Sequence, residues 1–176
     1  IDLLVRQDAF IDLVIPRGGE ALIRRVTQIA TVPVIKHYKG VCHLYVDASA
    51  DLDMAVKVVV NSKVQRPGVC NALEKVLVHE AVAAEFLPAL AAAMPQVELR
   101  GCPRTRAILP GAKPATDADW DAEYLDLVLA VRVVDGCDEA CAHIERHSSR
   151  HTDGILASDA GVVERFVATV DSAAVV

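Results

Sequence analysis

Ile11-Asp12-Leu13-Val14-Ile15-Pro16-Arg17-Gly18-Gly19-Glu20, continuing through Ala21 to Ile29 and into Thr31-Val32-Pro33-Val34-Ile35, carries the pattern that sets the fold class. Its first six residues form a short apolar run of strand type. A glycine pair interrupts the chain, and Leu22, Ile23, Val26 and Ile29 then recur at helical spacing. The second β-prone run completes a strand–turn–helix–strand unit, the building block of a parallel sheet. Gly18 and Gly19 at a helix N-terminus make a seat for an anion or phosphate. Two glycines are far less specific than a full dinucleotide-binding motif, and a tight turn without a ligand is the alternative.

The alternation continues downstream. Val41 to Val46 reads as a strand. Asp51 caps a helix running to about Val64, with Leu52, Ala55, Val56, Val59 and Val60 on one buried face. Glu74-Lys75-Val76-Leu77-Val78-His79 is a strand, and Ala81 to Met94 an amphipathic helix with a kink expected at Pro88. Val97 to Leu99 is a short strand. Gly101 to Asp121, rich in Pro, Gly, Thr and Asp, reads as connecting turns with one short helix over Thr105 to Leu109. Leu125 to Val134 is β-prone, Asp138 to His147 helical, Gly154 to Ala157 a strand and Asp159 to Val170 a helix. Strands alternating with helices predict an α/β fold with a doubly wound, mostly parallel sheet.

Composition narrows the partners. Hydrophobic residues make up 53% of the 176 and aromatics only 4%, so the core is built from aliphatic side chains. The formal net charge of -6 leaves no basic stripe for nucleic acid. No apolar run approaches the roughly 20 residues that cross a bilayer, and no basic-then-apolar leader is visible. Five cysteines without a disulfide-framework spacing indicate reduced thiols and a cytoplasmic setting. Cys42-His43 and Cys137-x-x-x-Cys141-x-His143 lack the short paired-cysteine knuckles of metal sites, and helix-packing cysteines are expected instead.

Gln65-Arg66-Pro67-Gly68-Val69-Cys70-Asn71-Ala72 lies between a helix and a strand. Pro67 and Gly68 end the helix, and the turn presents Cys70 and nearby backbone N–H groups to one point, a good position for an accessible nucleophile. A buried free cysteine is the plain alternative.

Several runs carry a resemblance. They are Ile15-Pro16-Arg17-Gly18-Gly19, Pro33-Val34-Ile35-Lys36-His37-Tyr38-Lys39-Gly40-Val41-Cys42-His43, Asp51-Leu52-Asp53, the Gln65 to Ala72 loop, Arg100-Gly101-Cys102, Thr105-Arg106-Ala107-Ile108-Leu109-Pro110 and Glu123-Tyr124-Leu125-Asp126. In order and spacing they resemble the gamma-glutamyl phosphate reductase family, also called glutamate-5-semialdehyde dehydrogenases, of the aldehyde dehydrogenase superfamily. The resemblance covers nearly the whole chain. It implies an aldehyde-dehydrogenase-like fold and NADPH-dependent reduction of gamma-glutamyl phosphate to glutamate 5-semialdehyde, with release of phosphate, in proline biosynthesis.

The resemblance also implies roles. Cys70 is the thiol that attacks the acyl phosphate and forms a thioester, and the Cys70 and Asn71 backbone N–H groups are candidates to hold the oxyanion. Arg17, Gly18 and Gly19 stand where the superfamily has a turn near the cofactor pyrophosphate. Glu123 matches the glutamate that holds the nicotinamide ribose. Hydrolytic relatives activate water with the glutamate of a Glu-Leu-Gly-Gly segment; here His37-Tyr38-Lys39-Gly40 has no carboxylate. The cations Lys36, His37, Lys39 and Arg66, and His151 of His151-Thr152-Asp153, are candidates for the substrate's phosphate and carboxylates, Arg66 foremost because its fork suits oxyanions. Each has the alternative of a solvated cation or a structural histidine.

Family chains are longer than this one, which begins at Ile1. Residues 1–39 are therefore expected to be the trailing βαβ piece of a cofactor-binding domain, and residues 40–176 a thiol-bearing catalytic domain incomplete at its C-terminus. A homo-oligomer is implied for the full-length protein. A folded module without turnover of its own is the alternative to an enzyme. A third reading, a cysteine hydrolase pairing Cys70 with His79, is disfavoured because a strand separates the two.

Overall fold

Among the described residues, seven parallel strands form the sheet of the computed structural model. The described residues are 1–36 and 38–176, so the substrate-binding candidate His37 lies outside them. The strands are β1 (Cys42–Val46), β2 (Leu73–His79), β3 (Glu98–Gly101), β4 (Lys113–Pro114), β5 (Val128–Val134), β6 (Thr152–Leu156) and β7 (Ala174–Val175). Their spatial order is β4-β3-β5-β2-β1-β6-β7. The helices are α1 (Glu20–Ile29), α2 (Leu52–Val64), α3 (Glu80–Ala93), α4 (Pro103–Ile108), α5 (Asp117–Trp120), α6 (Cys137–His147) and α7 (Ala160–Thr169).

The chain divides into two compact units, Ile1–Lys39 and Gly40–Val176. In the second, period-two alternation sends side chains to two cores. Leu44, Val46, Val76, Val78, Val131 and Val133 face one cluster with Ala55 and Val59 of α2 and Phe86, Leu87 and Leu90 of α3. Tyr45, Leu77 and Val134 face the other with Ala140 and Ile144 of α6 and Phe166 of α7. Helices cover both faces, which is why the central strands read as near-continuous apolar runs. Asp51 caps α2, accepting from the Met54 N–H at 3.0 Å. Pro88 sits inside α3 without ending it.

The first unit differs from its sequence reading. Both β-prone runs around α1 reduce to a single parallel bridge, Val14 to Val34. Val14 N–H donates to Pro33 O and Ile35 N–H to Val14 O, but Pro16 and Pro33 have no N–H with which to extend a ladder. In the second unit the strand expected from Leu125 begins at Val128. Leu125 instead has a positive φ of 54° and is exposed. The 113–121 region, read as turns, contains β4 and the short helix α5, whose Thr116 and Asp119 form a reciprocal capping box.

One buried cluster has a consequence for stability. The His43 and His143 rings lie 5.6 Å apart, and neither Nε2 has a hydrogen-bond partner among the described residues. Burial, reinforced by repulsion from His43, His147, Arg132 and Lys75, drives His143 down to about 2. Burial also lowers His43, against the pull of Asp153. Both are therefore neutral when folded and titrate near 6.5 when unfolded. Their contribution to stability is complete above about pH 6.5 and is lost as pH falls below it, because the unfolded chain takes up the protons first. For His143 alone the loss is about 1.4 kcal/mol per pH unit. Urea unfolding at pH 7.5 and 5.5 is expected to show this drop, and His143→Leu to flatten it.

Candidate functional site

The candidate residues of the second unit gather at the amino-terminal ends of neighbouring strands. Glu123 precedes β5, Cys70 and Asn71 precede β2, Gly40 precedes β1 and His151 precedes β6. The parallel order β5-β2-β1-β6 sets these four segments side by side along one sheet edge, at about 4.8 Å per strand. Open α/β sheets usually bind ligands at their carboxyl ends; here the chemistry-bearing groups collect at the opposite edge.

Cys70 is the one exposed cysteine of the five, the other four being buried. Its loop is closed by Val69 N–H to Arg66 O at 3.4 Å and Ala72 N–H to Val69 O at 3.0 Å. The Cys70 and Asn71 N–H groups have no partner among the described residues and are free to meet an oxyanion. The Cys70 backbone is fixed from behind. The Cys42 thiol, pushed up to about 12 by burial and hence kept protonated, donates to the Cys70 carbonyl at 3.3 Å. Gly40 lies so close that a Cβ on it would stand 1.8 Å from that same carbonyl oxygen. Only a glycine fits there.

Gly40 also ties the thiol loop to Glu123. Its N–H donates to Glu123 Oε1 at 2.7 Å, and the second carboxylate oxygen has no partner among the described residues. A carboxylate pinned by one oxygen and open at the other can accept from a ligand hydroxyl.

The remaining candidates are placed as follows. Arg66 is exposed and its guanidinium has no ion pair among the described residues. His151 is half-buried, its Nδ1 2.8 Å from Thr152 Oγ1. Its neighbour Asp153 is fully buried; burial alone would raise it, but His43, Ser148 and Ser172 hold it low. Lys39 is exposed and belongs to the first unit, as do Arg17, Gly18 and Gly19. Gly18 has φ 148° and Gly19 is the N-cap of α1, whose first turn has no side-chain cap, so its amides are open to an anion. The Cys70–His79 pairing does not form: His79 lies at the far end of β2, where its Nδ1 accepts from the Ala81 N–H at 3.1 Å and caps α3.

Three residues escaped the sequence reading. Lys63, Glu74 and Lys75 are buried charges, each at most 1% exposed. Lys63 lies in the last turn of α2 and Glu74 and Lys75 at the start of β2, and nothing in their spacing signals burial. Gly40 was legible only as a turn glycine.

The model of the aldehyde dehydrogenase family matches residues 2–113. A gamma-glutamyl phosphate reductase of Geobacter metallireducens is 56% identical over 98% of this chain and 42% of its own length, and one of Moorella thermoacetica 54% identical over 99% and 42%. The chain thus spans about two fifths of the curated relatives it matches. The crystal structure of a gamma-glutamyl phosphate reductase from Thermotoga maritima superposes with a TM-score of 0.95 at 48% identity, over 99% of this chain and 42% of that one. An acetylating aldehyde dehydrogenase from Geobacillus thermoglucosidasius, 18% identical with a TM-score of 0.73, shares the fold.

Proposed function

Because this chain belongs to the aldehyde dehydrogenase family, we propose that it carries the thiol half of a phosphorylating glutamate-5-semialdehyde dehydrogenase, acting in proline biosynthesis. It would reduce gamma-glutamyl phosphate to the semialdehyde and release phosphate. The observation that carries the reading is Cys70: the exposed thiol, on a loop with two N–H groups unpartnered among the described residues, joined through Gly40 to the Glu123 carboxylate.

The steps follow from these groups. Cys70 sulfur adds to the acyl carbon of the acyl phosphate. The Cys70 and Asn71 N–H groups take the developing oxyanion. Phosphate is a good leaving group, so collapse to the thioester needs no strong general base. Arg66, cationic and unpaired among the described residues, is placed on the same loop to receive an oxyanion of the substrate. His151, ahead of the neighbouring strand β6, would serve the substrate side, and Lys39 and His37 stay substrate-binding candidates by their sequence motif alone. Glu123 would accept from a cofactor ribose hydroxyl with the oxygen that Gly40 leaves free. Within the first unit, Arg17, Gly18 and Gly19, just ahead of α1, would suit a pyrophosphate. A bound nicotinamide cofactor would supply hydride for the thioester carbonyl; the Cys70 thiohemiacetal would then collapse, its C–S bond breaking and its hydroxyl proton returning to the thiol as the aldehyde leaves.

No carboxylate stands in the 36–40 segment to activate water, which favours hydride transfer over hydrolysis of the thioester. In the reverse direction, oxidation of glutamate 5-semialdehyde by NADP⁺ is expected to require phosphate absolutely. The assay uses a full-length enzyme carrying these 176 residues and follows nicotinamide absorbance. Equal rates without phosphate would contradict the proposal and mark a hydrolytic enzyme. Residues 1–39 are read as the trailing piece of the cofactor domain and 40–176 as the catalytic one.

A further inference from the structure

We propose that Glu74 is a positioning residue for Glu123, acting together with Lys75 through the arm formed by residues 122–125. β2 starts directly after the thiol loop, and its second and third residues are both buried charges on opposite faces of the sheet. Both reach the same arm. Lys75 Nζ donates to Ala122 O at 2.6 Å and lies 4.4 Å from the centre of the Tyr124 ring. Leu125 N–H donates to Glu74 Oε1 at 3.2 Å. Glu123 stands between these two anchors, with its side chain reaching Gly40.

Two independent features point to positioning rather than packing. Leu125 holds a left-handed φ of 54°, unfavourable for a residue with a Cβ, while its side chain is 48% exposed. Burial of the side chain does not offset that strain; the hydrogen bond to Glu74 holds it. Buried charges are also an inefficient way to stabilise a fold, since desolvation opposes them. Burial raises Glu74 and lowers Lys63, which donates to Glu74 Oε2 at 3.3 Å. Lys63 thus occupies the carboxylate oxygen that Leu125 does not use. On its outer side the arm is held by Tyr124 O–H to Asp119 Oδ1 at 2.7 Å, with Arg100 on the same oxygen at 2.7 Å. The arm is clamped at three points, and the residue in the middle is the one with a free carboxylate oxygen.

The inference rests on the proposed function only where it predicts kinetics. Two double variants, Lys63→Met with Glu74→Leu and Lys63→Met with Glu74→Gln, separate the acceptor from the charge. Replacing both members of a buried pair leaves no orphaned ion, and such changes are often tolerated. The Leu variant removes the acceptor for Leu125; the Gln variant restores it. In the full-length enzyme, hydrogen exchange by mass spectrometry is read over peptides spanning 38–41 and 122–127. The Leu variant is expected to speed exchange in both by about tenfold or more, the scale of a hydrogen bond to a charged group. It is also expected to raise KM for the nicotinamide cofactor by about tenfold and leave KM for the acyl phosphate within about twofold. The Gln variant stays near wild type in all three.

If the Leu variant does not fold, Lys75→Met, which frees Ala122 O and leaves the Lys63–Glu74 pair intact, must speed exchange over 38–41. Identical behaviour of the two doubles, or faster exchange confined to 122–127, overturns the inference. Wild-type enzyme without turnover would overturn the proposed function instead, and exchange would still decide this one.

Discussion

Cys70→Ala, in a full-length enzyme carrying these residues, is expected to lower phosphate-dependent turnover by at least about 10³-fold, because no other group can form the thioester. The remaining cysteines offer no substitute. Cys42 is buried and kept protonated, Cys137 and Cys141 pack on α6 with their sulfurs 3.9 Å apart, and Cys102 is turned inward to cap α4. The same substitution changes little in the fold, since Cys70 is exposed and its side chain makes no hydrogen bond among the described residues. The control is therefore a melting temperature close to wild type beside a lost rate. Retention of a tenth or more of the rate would mean that another nucleophile, or none, carries the reaction.

Gly40→Ala is expected to have the next largest effect, and on both counts. A Cβ would meet the Cys70 carbonyl oxygen at 1.8 Å, the carbonyl carbon at 2.6 Å and Cα at 2.9 Å. These are backbone atoms, so no side-chain rotation relieves the contact. Either the 38–41 segment or the thiol loop must move by about an ångström. Overpacking of this kind costs about 1–3 kcal/mol. A displacement of that size at the reacting group costs about 10²-fold in rate. The Gly40 N–H would move off Glu123 as well, so KM for the cofactor is expected to rise together with the fall in kcat. Unchanged kinetics in a folded Gly40→Ala enzyme would show that the close approach does not bear on the reaction.

Legibility of this fold from the sequence followed the physical strength of each signal. Central strands were readable because strands buried on both sheet faces carry near-continuous apolar runs bounded by turns. The edges were not. Val14 and Val34 lie in runs as β-prone as β1, yet form one bridge, because the two prolines remove donors that a ladder would need. Leu125 continues the apolar pattern of β5 but is turned out of it by a contact with Glu74, 51 residues away. α5 did leave a signal: Thr116, three residues before Asp119, has the spacing of a capping box with aspartate in the place of glutamate.

The site divides in the same way. Cys70 and Glu123 stood out through their local motifs. Their meeting did not, because it depends on strand order: residues 40, 70, 123 and 151 come together only once β5, β2, β1 and β6 are known to be neighbours. Glu74 and Lys75 were hidden for a related reason. A charge in a strand ordinarily marks a solvent-facing position, and only the buried partners on α2 and the 122–125 arm make these two an exception.

The most direct test is to trap the thioester. A full-length enzyme carrying these residues is mixed with glutamate 5-semialdehyde and NADP⁺ without phosphate, quenched in acid, digested and examined by mass spectrometry. The account predicts a glutamyl adduct on the peptide containing Cys70, discharged when phosphate is added and absent from Cys70→Ala. An adduct on another residue, or turnover with no adduct on Cys70, would contradict it.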